Sequence, residues 1–151
     1  SKNAIKIAKK KAPKIHYIVA NVFHLPLMSE SVDLLLSVFT PLAMKENHRI
    51  LKKGAYLLKV GPASDHLFEM KALVYDAPYL NPIKEIDHEG FEKLRDYEIK
   101  EVITLSNDDL KNLFMMTPYV HSCPSSGKER LFKTGELKVT IAFRLELFKK
   151  L

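Results

Sequence analysis

Residues 32–62 read VDLLLSVFTPLAMKENHRILKKGAYLLKVGP, and this stretch decides the fold. It opens with an apolar run, Val32, Asp33, Leu34, Leu35, Leu36, Ser37, Val38 and Phe39, that only one acid and one serine interrupt. It breaks at Thr40-Pro41 and closes with a second apolar run over residues 55–60, AYLLKV. Near-continuous runs of this length are expected of strands buried on both faces. Between them Leu42, Ala43, Asn47, Ile50 and Leu51 fall at near-helical spacing, with Lys45, Glu46, His48, Arg49 and Lys52 around the rest of the wheel. Lys53-Gly54 supplies a stop signal. Strand, helix and strand in this order predict a βαβ crossover and a parallel sheet. Ligands of such sheets bind at the carboxyl ends of the strands. Here those ends are residues 37–41 and 61–65.

Working outward, residues 3–11 form a predicted helix that Pro13 ends, with Ser1-Lys2-Asn3 as its cap and first turn. Residues 15–20, IHYIVA, read as a short strand. Residues 21–31 read as a loop around Leu25-Pro26. Downstream of the central unit, Ser64 or Asp65 is placed to cap a helix running to about Tyr75, and residues 76–90 form the longest irregular segment. A strand is predicted over residues 97–105. Ser106 and Asp109 then give a capping pattern for a short helix carrying Leu110, Leu113 and Phe114. Residues 122–127 read as polar and turn-rich. Finally Leu137, Val139, Ile141, Phe143, Leu145 and Leu147 alternate with mostly polar residues, which predicts an antiparallel strand with one wetter face.

Composition bounds the class. A chain of 151 residues, 46% hydrophobic and 28% charged, makes one globular domain with a sizeable core. No apolar run approaches the ~20 residues that cross a bilayer, and no signal-peptide pattern opens the chain, so a cytoplasmic location is expected. The single cysteine, Cys123, excludes an intramolecular disulfide and a zinc site built from several thiolates of this chain. A net charge of +6, with Lys2, Lys6, Lys9, Lys10, Lys11 and Lys14 crowding the first helix, fits an anionic partner such as RNA. The same lysines also make an ordinary solvated helix face.

The order of elements, a mostly parallel α/β pattern with a late antiparallel strand, resembles the S-adenosylmethionine-dependent methyltransferases with a seven-stranded Rossmann-like sheet. Asn21-Val22-Phe23-His24-Leu25-Pro26-Leu27 followed by Ser31-Val32-Asp33-Leu34-Leu35 is similar to that family's acceptor, Leu-Pro and Asp-strand block. Arg49-Ile50-Leu51-Lys52-Lys53-Gly54-Ala55 is similar to its R-x-L-K-P-G-G turn, with Lys53 for Pro and Ala55 for the second Gly. Gly61-Pro62, the block His66-Leu67-Phe68-Glu69-Met70-Lys71-Ala72-Leu73-Val74-Tyr75, and Met116-Thr117-Pro118-Tyr119 narrow the resemblance to the large-subunit ribosomal RNA guanine-N1 methyltransferases. Ser1-Lys2-Asn3-Ala4-Ile5 matches the segment just after that family's ribose-binding acid.

That resemblance implies a truncated methyltransferase sheet in a single catalytic domain, of which residues 1–151 are the C-terminal portion. The family's zinc module, its glycine-rich loop and its ribose-binding acid have no counterpart among these residues, where no two glycines form a G-x-G. On this reading the chain alone is catalytically incompetent. S-adenosylmethionine is the implied cofactor, with Asn21, Val22, Leu25, Ser37, Val38 and His66 toward it. Phe39, Thr40 and Pro41 lie toward the target base, and His66 is the expected proton acceptor. Read without the resemblance, Asn21 is equally a turn residue, Phe39 equally a core residue and His66 an idle one. Ribosomal RNA is the implied partner. The alternatives are a small-molecule methyltransferase of the same fold and a non-catalytic module derived from it. In a sheet ordered 3-2-1-4-5-7-6 the absent strands are 1 and 2, which leaves the Asp33 strand a bare apolar edge. The expectation is then either a longer polypeptide or a homodimer or element swap across that edge.

Overall fold

The computed structural model describes residues 2–83, 85 and 87–151. The expected cap at Ser1 falls outside them. The elements run α1 (Lys2–Lys11), β1 (Val32–Val38), α2 (Met44–Ile50), β2 (Leu51–Pro62), α3 (Phe68–Val74), β3 (Phe91–Ser106), α4 (Asn107–Met116), α5 (Tyr119–Ser122), α6 (Ser125–Lys133) and β4 (Glu136–Lys150). The four strands form one sheet in the order β1-β2-β4-β3. β1 and β2 are parallel, as the crossover requires, while β4 runs antiparallel to both β2 and β3. This is the 4-5-7-6 half of the expected sheet. Val32 pairs with Leu51 but Leu34 already with Tyr56, so β2 bulges out between them. Gly54 takes the positive φ of +77° within the bulge.

Strand alternation divides the core into two clusters. On one face Leu57 and Phe148 pack with Leu51, Ala55 and Phe91, joined by Leu35 and by Leu42 and Met44 at the start of α2. On the other, Met70 and Val74 of α3, Leu110 and Phe114 of α4 and Leu131 of α6 close over Val139. That second layer covers only one end of its face. Leu34, Leu36 and Val38 of β1 stay 56%, 58% and 51% exposed, with Tyr56, Tyr97 and Ile99 also uncovered. β1 is therefore buried on one face only, against the expectation of two, and the bare apolar edge is present.

Other expectations change. Residues 15–20 hold no strand, and Ile15, Ile18 and Val19 are exposed. β-Branched composition makes a strand only where the segment is paired, and residues 15–20 pair with none of the four strands. α3 begins at Phe68 instead of at Ser64 or Asp65 because the preceding residues are held by β4, and Leu67 at φ +56° makes the turn into the helix. The turn-rich segment 122–127 runs into a helix, α6. Its Gly127 sits where a Cβ would lie 2.0 Å from the carbonyl oxygen of Val74, so the glycine there serves close helix approach. The β3 strand starts earlier than predicted, at Phe91. Ser106 caps α4 as expected, its side chain accepting from the Asp109 N–H.

Candidate active site

At the carboxyl ends of β1 and β2 the structure opens a cleft of about 1440 Å³. Phe23 and His24 from the loop before β1, Phe39 and Thr40 after β1, and Pro82 and Ile83 from the long irregular segment are among its walls. Phe39 turns the chain at φ +50°, a conformation that costs a bulky residue roughly 1 kcal/mol or more. Its N–H donates to the Val60 carbonyl at 2.9 Å. Its ring packs edge-on against Phe143 at 5.6 Å and tilted against His66 at 5.7 Å. Half of that ring remains exposed. Behind it, Ser37 is buried and shares a 2.8 Å hydrogen bond with the hydroxyl of Thr40. Val38, by alternation, points to the opposite, bare face of the sheet.

The loop that carries Asn21 to Leu25 is held by α2. Glu46 takes the Leu25 N–H at 2.7 Å and grips the Arg49 guanidinium through both oxygens, at 2.6 and 2.9 Å. Arg49 in turn donates to the carbonyls of Leu25 and Leu27 and to the Ser29 hydroxyl. The Arg49 hydrogen bonds, with that from Leu25, hold the Glu46 carboxyl down at about 2. Asn21 Oδ1 accepts from the Phe23 N–H at 3.0 Å, the turn geometry that the local reading anticipates. One lone pair of that oxygen and the amide NH2 are not used within this turn.

His66 is half-buried and lies behind Phe39, outside the cleft lining. Its Nδ1 accepts the Ala142 N–H at 3.2 Å, so the neutral ring carries its proton on Nε2. Burial pushes its pKa down, the nearby Lys71 charge adds to that, and Asp65 opposes it. The ring therefore presents a donor, where the sequence led us to expect a proton acceptor. The rest of its motif explains itself similarly. β2 leaves the sheet at Pro62, and the backbone of β4 beyond that point needs other partners. Ala63 N–H donates to Ala142 O, Leu67 N–H to Thr140 O, and the Glu69 carboxylate takes both the N–H and the hydroxyl of Thr140, at 2.8 and 2.6 Å.

One further cluster escaped the sequence reading. Lys59, Glu146, Lys93, Arg144 and Asp96 meet across three strands on the cleft side of the sheet. Glu146 is 3% exposed and binds Lys59 at 2.5 Å and Lys93 at 2.9 Å. Burial alone would raise its pKa, and the two lysines reverse that and leave it lowered. Arg144 and Lys93 likewise hold Asp96 well below the usual carboxylate range. Lys59 and Arg144 reach the cleft. The signal was a charge at register positions Lys59↔Glu146 and Asp96↔Glu146, which only known strand pairing reveals. Among the described residues no His, Cys, Asp and Glu group suits a metal ion, and no helix is long and apolar enough to cross a membrane.

Comparison with known proteins agrees with the geometry. A methyltransferase domain model matches residues 1–61. YxjB of Bacillus subtilis (strain 168), whose name makes it a candidate 23S rRNA (guanine-N(1)-)-methyltransferase, is 32% identical over 143 residues, which cover 91% of this chain and 50% of YxjB. The 23S rRNA (guanine(748)-N(1))-methyltransferase of Streptomyces fradiae is 33% identical over 129 residues, 78% of this chain and 44% of that protein. The chain thus spans about half the length of these relatives. Among solved structures, a methyltransferase fold from Bacillus halodurans C-125 superposes with a TM-score of 0.61 at 13% identity, covering 99% of this chain and 80% of that one. The MccD protein gives 0.57 at 19%, covering 100% and 77%. Fold, motif blocks and relatives converge: the chain carries a methyltransferase domain and is similar to the C-terminal part of large-subunit ribosomal RNA guanine-N1 methyltransferases.

Proposed function

We propose that this chain supplies the target-base side of a methyltransferase acting on N1 of a guanine in large-subunit ribosomal RNA, as part of a longer polypeptide. The observation that carries the reading is Phe39. A strained, half-exposed aromatic ring is braced by His66 and Phe143 at a strand end that opens into the cleft, and such strain concentrates at functional sites. The ring offers a stacking face for a base taken out of the RNA.

The cofactor fits on one side only. The preformed turn at Asn21 keeps an acceptor for an exocyclic amine, and Val22 and Leu25 offer apolar surface beside it, fixed by the Glu46–Arg49 clamp. A holder for the ribose or the methionine portion is not legible in these residues. When bound, S-adenosylmethionine supplies a methyl group on a sulfonium centre. This chain's contribution is positioning: Phe39 orients the base and the Ser37–Thr40 hydroxyl pair lines the approach. None of these residues is placed to take the N1 proton, which would leave to solvent or to a base outside this set. We assign His66 to the support of Phe39.

Titration of the isotopically labelled chain with S-adenosylhomocysteine and with guanosine 5′-monophosphate tests the reading. Guanosine monophosphate should shift the Phe39 and Thr40 resonances, and S-adenosylhomocysteine those of Asn21 to Leu25. Shifts confined to α1 would instead favour a charged surface with no base pocket.

A further inference from the structure

Lys71 lies on α3 with 0% exposure, and among the described residues no carboxylate pairs with it. A buried ammonium without a counter-charge is costly, so the structure that holds it must supply oxygens and ring faces instead. Its Nζ donates to Asn81 Oδ1 at 2.6 Å and to the Tyr79 carbonyl at 3.1 Å. It also sits 4.4 Å from the centre of the Tyr79 ring and 5.6 Å from that of Tyr119. Asn81 passes the connection on. Its Nδ2 donates to the carbonyls of Ala63 and His66, at 2.9 and 3.2 Å, and its backbone N–H to Ser64 O at 2.7 Å. Pro82 and Ile83, the next residues, form part of the cleft wall.

We propose that Lys71 is a positioning residue: through Asn81 it straps residues 79–83 to the turn bearing His66, and so sets the outer wall of the cleft. Every donor and acceptor in the relay is directional. Lys71 supplies the only charge, Asn81 uses its oxygen toward Lys71 and its nitrogen toward the turn, and the tyrosine rings screen the ammonium from water. The block from His66 to Tyr75 and the later Thr-Pro-Tyr are thereby joined, since Lys71 and Tyr119 are members of one cage. What the wall receives rests on the function proposed above. The wall itself does not, so it is read separately.

The test uses the full chain with Lys71→Met, which keeps the apolar stem and removes the donors, and Asn81→Ala, which removes the relay. Leu110→Ala is the control, because Leu110 is fully buried in the same helical core and its apolar side chain can make no hydrogen bond in the relay. The readouts are amide exchange at residue 81 and the ring-nitrogen shifts of His66. Lys71→Met and Asn81→Ala should each speed exchange at residue 81 about tenfold or more, the scale of losing a charge-assisted hydrogen bond, and move the His66 signal. Leu110→Ala should lower the melting temperature and leave both local signals unmoved. Unchanged exchange and an unchanged His66 in both relay variants overturn the proposal, as does an equal response to Leu110→Ala. Should Lys71→Met fail to fold, Asn81→Ala alone decides in the same way.

Discussion

Gly127→Ala offers a quantitative test of how the helical layer is assembled. The added Cβ would lie 2.0 Å from the carbonyl oxygen of Val74, 2.8 Å from its carbonyl carbon and 3.0 Å from its Cα. All three are backbone atoms at the end of α3, so no rotamer change relieves the collision. Val74 cannot retreat, because its side chain is fully buried and the following N–H is bonded to Lys71 O at 2.8 Å. α6 must therefore lift away, loosening Leu131 from the core and weakening the Arg130 hydrogen bond to Leu73 O, now 2.8 Å. Overpacking of this kind costs about 1–3 kcal/mol, with more from the loosened Leu131 contacts. The better helix propensity of alanine returns up to about 1 kcal/mol. A net loss of about 1–3 kcal/mol is expected, read by urea denaturation of the full chain as a lower midpoint at unchanged slope. A variant as stable as the wild type would refute the close approach of α6 to α3.

Three further outcomes follow from the same geometry. Glu69→Ala strands the Thr140 N–H and hydroxyl beside a helix, which should cost about 2–3 kcal/mol, and Glu69→Gln less; thermal melts that rank the two alike would argue against the double hydrogen bond. The Glu46 pKa is lowered in the folded chain, so its clamp contributes in full above the unfolded value of 4.5 and is lost as pH falls toward about 2. Amide exchange at Leu25 should accelerate over that window and not above it, whereas Glu46→Gln should show fast exchange throughout. Leu36→Lys on the bare sheet face should change stability by no more than about 0.5 kcal/mol while reducing self-association in light scattering; a large loss of stability would mean that face is covered.

The sequence was most legible where its periodicity was local. The crossover from β1 through α2 to β2 and the alternation of β4 were plain, because binary patterning records which face each residue turns to the core. It failed at residues 15–20, where composition promised a strand but the missing neighbour decided otherwise. It failed again at α6, since Ser125-Ser126-Gly127 looks like a turn unless Val74 is known to lie against it. The site divides the same way. Phe39 and Thr40, expected from the strand end, line the cleft, while Lys59, Glu146 and Arg144 were invisible until β4 was paired with β2. The block beginning at His66 was noticed for its resemblance, and of it only His66 was assigned to chemistry. In the fold, His66 and Glu69 satisfy backbone groups of β4, and Lys71 anchors a loop.

The central claim is that Phe39 faces the base that receives the methyl group. Joining this chain to the first half of the Bacillus subtilis relative, supplying labelled S-adenosylmethionine and unmodified large-subunit ribosomal RNA, and identifying the product nucleoside by mass spectrometry tests it most directly. The account predicts 1-methylguanosine, formed about tenfold to a hundredfold more slowly by Phe39→Ala, the range set by loss of one base-stacking contact, with the fold intact by circular dichroism. Label on another atom or base, or an undiminished rate in Phe39→Ala, would contradict it.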